Sequence, residues 1–332
     1  MGLALVTGGG GFLGGAIARR LLAGGWGVRS YARGAYPQLA SLGVEVVRGD
    51  IADEAALGAA ARGCDAVFHV AAKVGLWGTY EEYYAANVAG TRSVLRACRS
   101  HGVSRLVFTG SPSVVFDGSD VDGWDESASY PLEFDSHYSR TKAVSEEMVL
   151  SANGPDLATI SLRPHLIWGP GENHIVSRIV ARGRAGTLRR IGSLNKLVDT
   201  TYIDDAAEAH WLALERLEPG APISGKAYFI SQGDPRPIWE IVDAILRAAG
   251  APPVSKRVSP QAAYTAAFIL EGVHRLFRFA GEPRLTRFLV SQLATAHWFD
   301  IGAARRDLGY APKTTIEEGL KRLERYFSEA PL

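Results

Sequence analysis

Leu3-Ala4-Leu5-Val6-Thr7-Gly8-Gly9-Gly10-Gly11-Phe12-Leu13-Gly14 runs a short apolar strand pattern straight into a glycine-rich turn, and a helical pattern follows over 16–22. Gly8, Gly11 and Gly14 fall at a Gly-x-x-Gly-x-x-Gly spacing. Glycine serves any tight turn; the strand before and the helix after single this one out. Such a junction leaves backbone N–H groups unpaired at a helix N-terminus, where a pyrophosphate can sit.

Downstream, strand-like apolar runs at 28–31, 44–47, 66–70, 106–109 and 158–162 alternate with helical patterns at 54–62, 80–100 and 138–151. That alternation predicts an α/β fold, a Rossmann-type doubly wound parallel sheet. Beyond about residue 170 it fails: short strands near 197–203 and 227–231 mix with helices at 205–217 and 238–249. The reading is a dinucleotide-binding domain over 1–170 and a smaller mixed α/β substrate lobe over 171–332, some of whose segments return to the first domain. The lobe is expected at the carboxyl edge of the sheet, where ligands bind in such folds.

The 332 residues can bury a large core, and a net charge of +1 with well-mixed signs leaves no nucleic-acid footprint. Cys64 and Cys98 form no Cys-x-x-Cys or zinc spacing and read as two buried free thiols. No basic leader precedes the apolar start and no run is long enough to span a bilayer, so a cytoplasmic protein is expected.

Tyr138-Ser139-Arg140-Thr141-Lys142 places Tyr and Lys at i and i+4, on one face of a helix. On a surface such a pair is an ordinary solvated contact. Beside a nucleotide cradle it suggests hydride chemistry at carbon. A free phenol titrates near ~10, and an ammonium one turn away is expected to lower that value. Phe108-Thr109-Gly110-Ser111-Pro112-Ser113 supplies a hydroxyl for the substrate oxygen just past a predicted strand. At the end of the second strand, where a carboxylate would take an adenosine ribose hydroxyl, stand Ala32 and Arg33. They leave room for a 2′-phosphate and offer it a guanidinium, so NADP (NADPH) is expected over NAD.

Taken together these stretches resemble an extended short-chain dehydrogenase/reductase of the 3β-hydroxysteroid dehydrogenase-like branch. The likeness covers nearly the whole chain. It includes Gly49-Asp50-Ile51, Phe68-His69-Val70-Ala71-Ala72, Asn87-Val88-x-Gly90-Thr91, Leu162-Arg163-Pro164-His165-Leu166-Ile167-Trp168-Gly169-Pro170-Gly171, Asp204-Asp205 and Leu308-Gly309-Tyr310-x-Pro312. The resemblance implies that Tyr138 is the acid/base, that Lys142 holds the nicotinamide ribose and tunes the Tyr, and that Ser111 orients the carbonyl, with Ser113 as its competitor. It also implies a cofactor cleft made by Gly8, Gly11, Phe12, Leu13, Gly14, Arg33, Asp50, Ile51, Ala71, Lys73, Pro164 and Ile167. Asp50 and Ile51 would flank adenine, and 164–167 would lie near the nicotinamide.

More narrowly, Ser111-Pro112-Ser113-Val114-Val115-Phe116-Asp117-Gly118 and Gly192-x-x-x-Asn195-Lys196-x-Val198-Asp199 are similar to bacterial 2-alkyl-3-ketoalkanoate reductases. That similarity implies a long-chain β-keto or β-hydroxy acid substrate and a place in long-chain olefin formation. A homodimer, association with other enzymes of that route and peripheral membrane contact stay open. The competing readings are a sterol dehydrogenase, a cofactor-sensing regulator and, more weakly, a sugar-nucleotide epimerase. A regulator would usually lack the Tyr/Lys pair.

His69 reads as a packed strand residue and His137 as a neighbour that shapes the site. His165 and His174 are candidates for holding a substrate carboxylate. No His/Asp/Glu spacing resembles a metal site, and the chemistry needs no metal. Over 262–280, Ala266, Ile269, Leu270, Val273, Leu276, Phe277 and Ala280 form one apolar helical face, with Tyr264, Phe268, Glu271, Arg275 and Arg278 on another. Docking on the core, lining an alkyl tunnel and touching a membrane surface are the three readings of that segment.

Overall fold

Seven parallel strands form the central sheet of the computed structural model: β1 (Leu3–Thr7), β2 (Gly27–Ala32), β3 (Glu45–Arg48), β4 (Ala66–His69), β5 (Arg105–Thr109), β6 (Ala158–Pro164) and β7 (Lys226–Ile230). Their spatial order is β7-β6-β5-β4-β1-β2-β3. The structure describes residues 2–75, 77–277, 279 and 281–329. Leu5, Val6, Phe68, Leu106, Val107, Ile160 and Leu162 are almost wholly buried. Burial on both faces is why these strands read as continuous apolar runs and do not alternate.

Helices cover both faces. Phe12–Ala23 buries Leu13, Ile17 and Leu21 at i, i+4 and i+8, and is tied to helix Ile203–Arg216 by an Arg20–Glu208 ion pair at 2.5 Å. On the other face Glu54–Ala61 and Gly90–His101 pack Leu57, Val94 and Cys98 against the sheet. Cys64 and Cys98 are buried and free, and burial pushes the Cys98 thiol up to about 12.

From β1 the chain winds outward through β2 to β3, then returns to lay β4 on the other side of β1. The carboxyl ends of β1 and β4, at Thr7 and His69, therefore bound the crevice where the strand order reverses. Ligands bind at that place in open α/β sheets.

Two elements differ from the sequence reading, and a third, β7, is a segment beyond 170 that lies in the first domain, as the reading allows. The predicted helix over 80–100 is a continuous helical run that widens to i→i+5 bonding over Tyr84–Ala89, before Gly90–His101. The strand near 227–231 is β7, which extends the Rossmann sheet alongside β6. Conversely Val121–Trp124, from the amino half, joins a second sheet with His297–Phe299, Leu197–Val198 and Arg236–Pro237. Thus β7, beyond residue 170, lies in the main sheet, and Val121–Trp124, before it, lies in the second one. Burial decides it: Tyr228, Phe229 and Ile230 fill the edge of the main core.

Helix Pro260–Phe277 is also turned differently from the expected apolar face. It buries only Ala263, Ala267 and Glu271, whose carboxylate accepts from the backbone N–H and Nε of Arg287 at 2.8 and 2.9 Å. Phe268, Ile269, Leu276 and Phe277 stand 57–76% exposed, so they do not enclose a tunnel. Two small alanines allow close approach to the lobe, and the larger apolar side chains are left outside. Arg278 and Ala280 lie outside the described residues. Among the described residues no helix is long and apolar enough to cross a membrane.

Candidate active site

Thr7 ends β1 and ties the crevice together. Its hydroxyl accepts from the Val70 and Ala71 N–H groups, each at 3.2 Å, and lies 2.9 Å from His69 Nδ1. On the other side, His69 Nε2 is 2.9 Å from Thr91 Oγ1, which donates to the Asn87 carbonyl at 2.5 Å. Because Thr91 spends its proton on Asn87, it must accept from Nε2–H, and Nδ1 must accept from Thr7. His69 is therefore neutral, as its burial beside Lys142 requires; its pKa falls to about 3. Asn87, in the widened helical turn, accepts from Lys73 N–H at 2.7 Å and donates to Thr141 at 3.0 Å. This chain of bonds fixes the backbone at Ala71 and Lys73. The sequence reading takes His69 as packing and does not pick out Thr7, Asn87 or Thr91 as its partners.

The glycine turn fits a pyrophosphate. Helix Phe12–Ala23 begins at Gly11 with no capping side chain and no acid in its first turn, leaving its N–H groups free for an anion. Gly8 has φ +70°, and a Cβ there would stand 2.9 Å from the Ala71 backbone; a Cβ on Gly14 would strike the Gly8 carbonyl. At the ends of β2 and β3, Arg33 and Arg48 are exposed neighbours, with Arg48 Nε donating to the Arg33 carbonyl at 3.4 Å. Arg48, which the sequence reading does not single out, sets a second cation beside Arg33. Asp50 caps its own turn by accepting from Ala52 N–H at 2.9 Å, and Ile51 packs against Gly90.

Helix His137–Ser151 carries Tyr138, Lys142 and Glu146 one turn apart, capped by Ser136. Lys142 is 3% exposed; its ammonium donates to the Thr109 carbonyl at 2.6 Å and sits 4.0 Å above the Phe108 ring centroid. Burial lowers its pKa to about 7, against the pull of Glu146. Ser111 lies beside the Tyr138 phenol, near enough to favour its ionised form, and Ser111 Oγ is 2.9 Å from Ser113 Oγ. The expected lowering of the phenol by Lys142 is not what the structure gives. Loss of water raises the Tyr138 pKa, only Ser111 opposes it, and the ammonium is turned to Thr109.

Behind the pair lies a buried ionic cluster with no sequence signal of its own. Glu146 accepts from Arg163 Nη2 at 2.5 Å and Nε at 3.0 Å, from Ser161 at 2.6 Å and from Tyr130 at 2.7 Å. It clamps the helix of Tyr138 and Lys142 to β6, which ends at Pro164. His137 is exposed beside Tyr80 and Tyr83, and the Tyr83 ring lies 6.5 Å from that of Tyr138. His165 is buried against Phe299, with Nε2 3.1 Å from His297 Nδ1, and burial holds it well below the usual histidine range. A neutral, enclosed imidazole does not serve as a carboxylate-binding cation; His174 is exposed, with its backbone N–H donating to Glu172 at 2.5 Å. Asp199, of the narrower motif, is fully buried and binds Thr200 N–H, Ser231 and Gly233 N–H, so it shapes the chain under Ile167.

A nucleotide cradle at the switch point, facing a Tyr–Ser pair and a buried lysine, defines the site type of the extended short-chain dehydrogenases. Residues 5–259 match the 3-beta hydroxysteroid dehydrogenase/isomerase family, and the chain belongs to it. It is 51% identical over 322 residues to the 2-alkyl-3-oxoalkanoate reductase of Stenotrophomonas maltophilia, covering 96% of this chain and 98% of that one. To the 2-alkyl-3-oxoalkanoate reductase of Shewanella oneidensis it is 46% identical over 97% of this chain and 85% of the other. Among solved structures it is similar to a double mutant of the dTDP-glucose 4,6-dehydratase DesIV of Streptomyces venezuelae with NAD and DAU bound. The TM-score is 0.77 at 26% identity, covering 98% of this chain and 97% of that one.

Proposed function

We propose that this chain is an NADPH-dependent reductase that interconverts a long-chain 2-alkyl-3-oxoalkanoate and the corresponding 2-alkyl-3-hydroxyalkanoate. Tyr138 and the buried Lys142 one turn apart on a single helix, with Ser111 beside the phenol, are the observation that carries it, because they offer a proton donor and an oxygen anchor at one point. The likeness to two 2-alkyl-3-oxoalkanoate reductases supports the substrate class. The bound nicotinamide would supply hydride to the carbonyl carbon. Ser111 donates to the carbonyl oxygen, and Tyr138, neutral at working pH, passes its proton to that oxygen as charge develops. Lys142 donates to the Thr109 carbonyl, and a ribose hydroxyl is a further acceptor its ammonium would meet in the cleft. Gly8, Gly11, Phe12, Leu13 and Gly14 would hold the pyrophosphate, Ala71 and Lys73 the cleft wall, and Arg33 with Arg48 the 2′-phosphate.

The test is NADPH oxidation with 2-alkyl-3-oxo acids of graded chain length beside a 3-ketosteroid. The reading expects kcat/KM to favour the branched oxo acids, and NADPH to outperform NADH. Strong activity on the steroid alone would transfer the chain to the sterol-dehydrogenase reading.

A further inference from the structure

We propose that the outer face of helix Pro260–Phe277 is a docking surface for a bilayer that carries anionic lipid. Single exposed apolar residues are ordinary, but a contiguous set is not. Here Phe268, Ile269, Leu276, Phe277 and Phe279 stand 53–76% exposed on one short segment. The flank is basic. Over 256–287 the sequence has six Lys/Arg against two Glu, in a chain whose whole net charge is +1. Both glutamates sit in ion pairs, Glu271 with Arg287 and Glu282 with Arg178, while Lys256, Arg257, Arg275 and Arg284 are exposed. Apolar side chains beside cations that outnumber their counter-ions match an acyl and headgroup boundary of negative charge. The helix is held to the protein through Ala263 and Ala267 and leaves its larger side chains outward, as a helix lying in an interface does.

The surface adjoins the site. Arg275 lies over the Trp77 ring at 5.5 Å and His274 meets its edge at 6.0 Å. The Trp77 and Gly75 carbonyls accept from the Tyr83 hydroxyl at 3.3 and 2.9 Å, and the Tyr83 ring adjoins Tyr138. A docked chain would therefore present the mouth of its crevice to the lipid, where a two-chain acid substrate partitions; that consequence, though not the docking itself, rests on the proposed function.

The experiment is flotation of the full chain with vesicles of phosphatidylcholine alone or with about 30% phosphatidylglycerol. Variants are Phe268→Ser combined with Leu276→Ser, and separately Arg275→Glu; all three residues are exposed, so a thermal melt should be unchanged. Recovery with anionic vesicles should exceed that with neutral ones by at least about tenfold and fall in about 0.5 M salt. The serine pair should lose at least about tenfold of the binding. No recovery above the vesicle-free control, or full binding by the serine pair, overturns the proposal. A concentration-dependent dimer that the serine pair abolishes overturns it as well, because a second copy then covers the face. No substrate or cofactor enters this assay, so its failure and a failure of the reductase reading are separable.

Discussion

Glu146→Gln probes the one buried charge cluster that joins the helix of Tyr138 and Lys142 to the strand leading to Pro164. The carboxylate is fully buried, and Arg163 is 4% exposed with Nη1 already lacking a partner. The amide keeps the size but removes the charge, leaving a buried guanidinium without its counter-ion. Breaking such a pair on one side typically costs ~3–5 kcal/mol. The pH dependence follows from the direction of the shift. Arg163 foremost, with Ser161 and Tyr130, holds Glu146 below its ordinary 4.5 despite burial. A carboxyl depressed in the folded state contributes its stability above the unfolded value and loses it as pH falls through the folded value. The gap between wild type and Glu146→Gln is therefore full at pH 7 and closes below about 4.5. Guanidinium unfolding at a series of pH values measures it, and replacing Arg163→Met in the same chain should recover most of the loss, since no unpaired charge remains. A loss under about 1 kcal/mol, or one that stays constant from neutral to acid pH, would refute the reasoning. The same variant takes away the charge that supports the Lys142 ammonium, so Lys142 should titrate below its wild-type value of about 7.

Three further outcomes follow from the site. Tyr138→Phe should lower kcat by ~10²–10⁴-fold with cofactor affinity nearly unchanged; near-normal turnover would remove Tyr138 from the acid/base role. Ser111→Ala should lose most of the activity and Ser113→Ala much less, on the proposal that Ser111, beside the phenol, orients the carbonyl; the reverse ranking in steady-state kinetics would exchange their roles. Arg33→Ala should weaken NADPH by roughly ten- to 150-fold, the loss of one charge-assisted bond of ~1.5–3 kcal/mol, and leave NADH untouched; equal effects on both cofactors in fluorescence titrations would sink the 2′-phosphate assignment.

Much of this was legible because it rests on local spacing. The Gly8, Gly11 and Gly14 pattern between a strand and a helix reflects steric limits at single positions, and the structure meets them with a positive φ at Gly8 and a close approach at Gly14. Strand patterns with both faces apolar were readable as a parallel sheet for the same reason. The helix over 138–151 could be read from its period, and with it the shared face of Tyr138 and Lys142.

Relations between distant segments were not legible. Glu146 meets Arg163 and Tyr130 only because β6 and the preceding loop are brought beside its helix; nothing in the chain near 146 signals a buried acid. Asn87 became a ligand for the Lys73 backbone through a widened turn that periodicity reads as plain helix. Lys142 could be placed one turn from Tyr138, but its bond to the Thr109 carbonyl is a matter of tertiary packing, and so is the burial that raises the phenol against the expected direction. The outer helix shows the limit most plainly. Its sequence carries more apolar positions than one stripe can bury, and only the packing of Ala263 and Ala267 decided which of them face water. By itself the sequence determined the sheet, the glycine turn and the shared face of Tyr138 and Lys142, since backbone sterics and periodicity act over a few residues. The tertiary structure decided the direction of the pKa shifts, the partners of Lys142 and Glu146 and the exposed face, because desolvation and counter-ions come from whatever the fold sets beside a group.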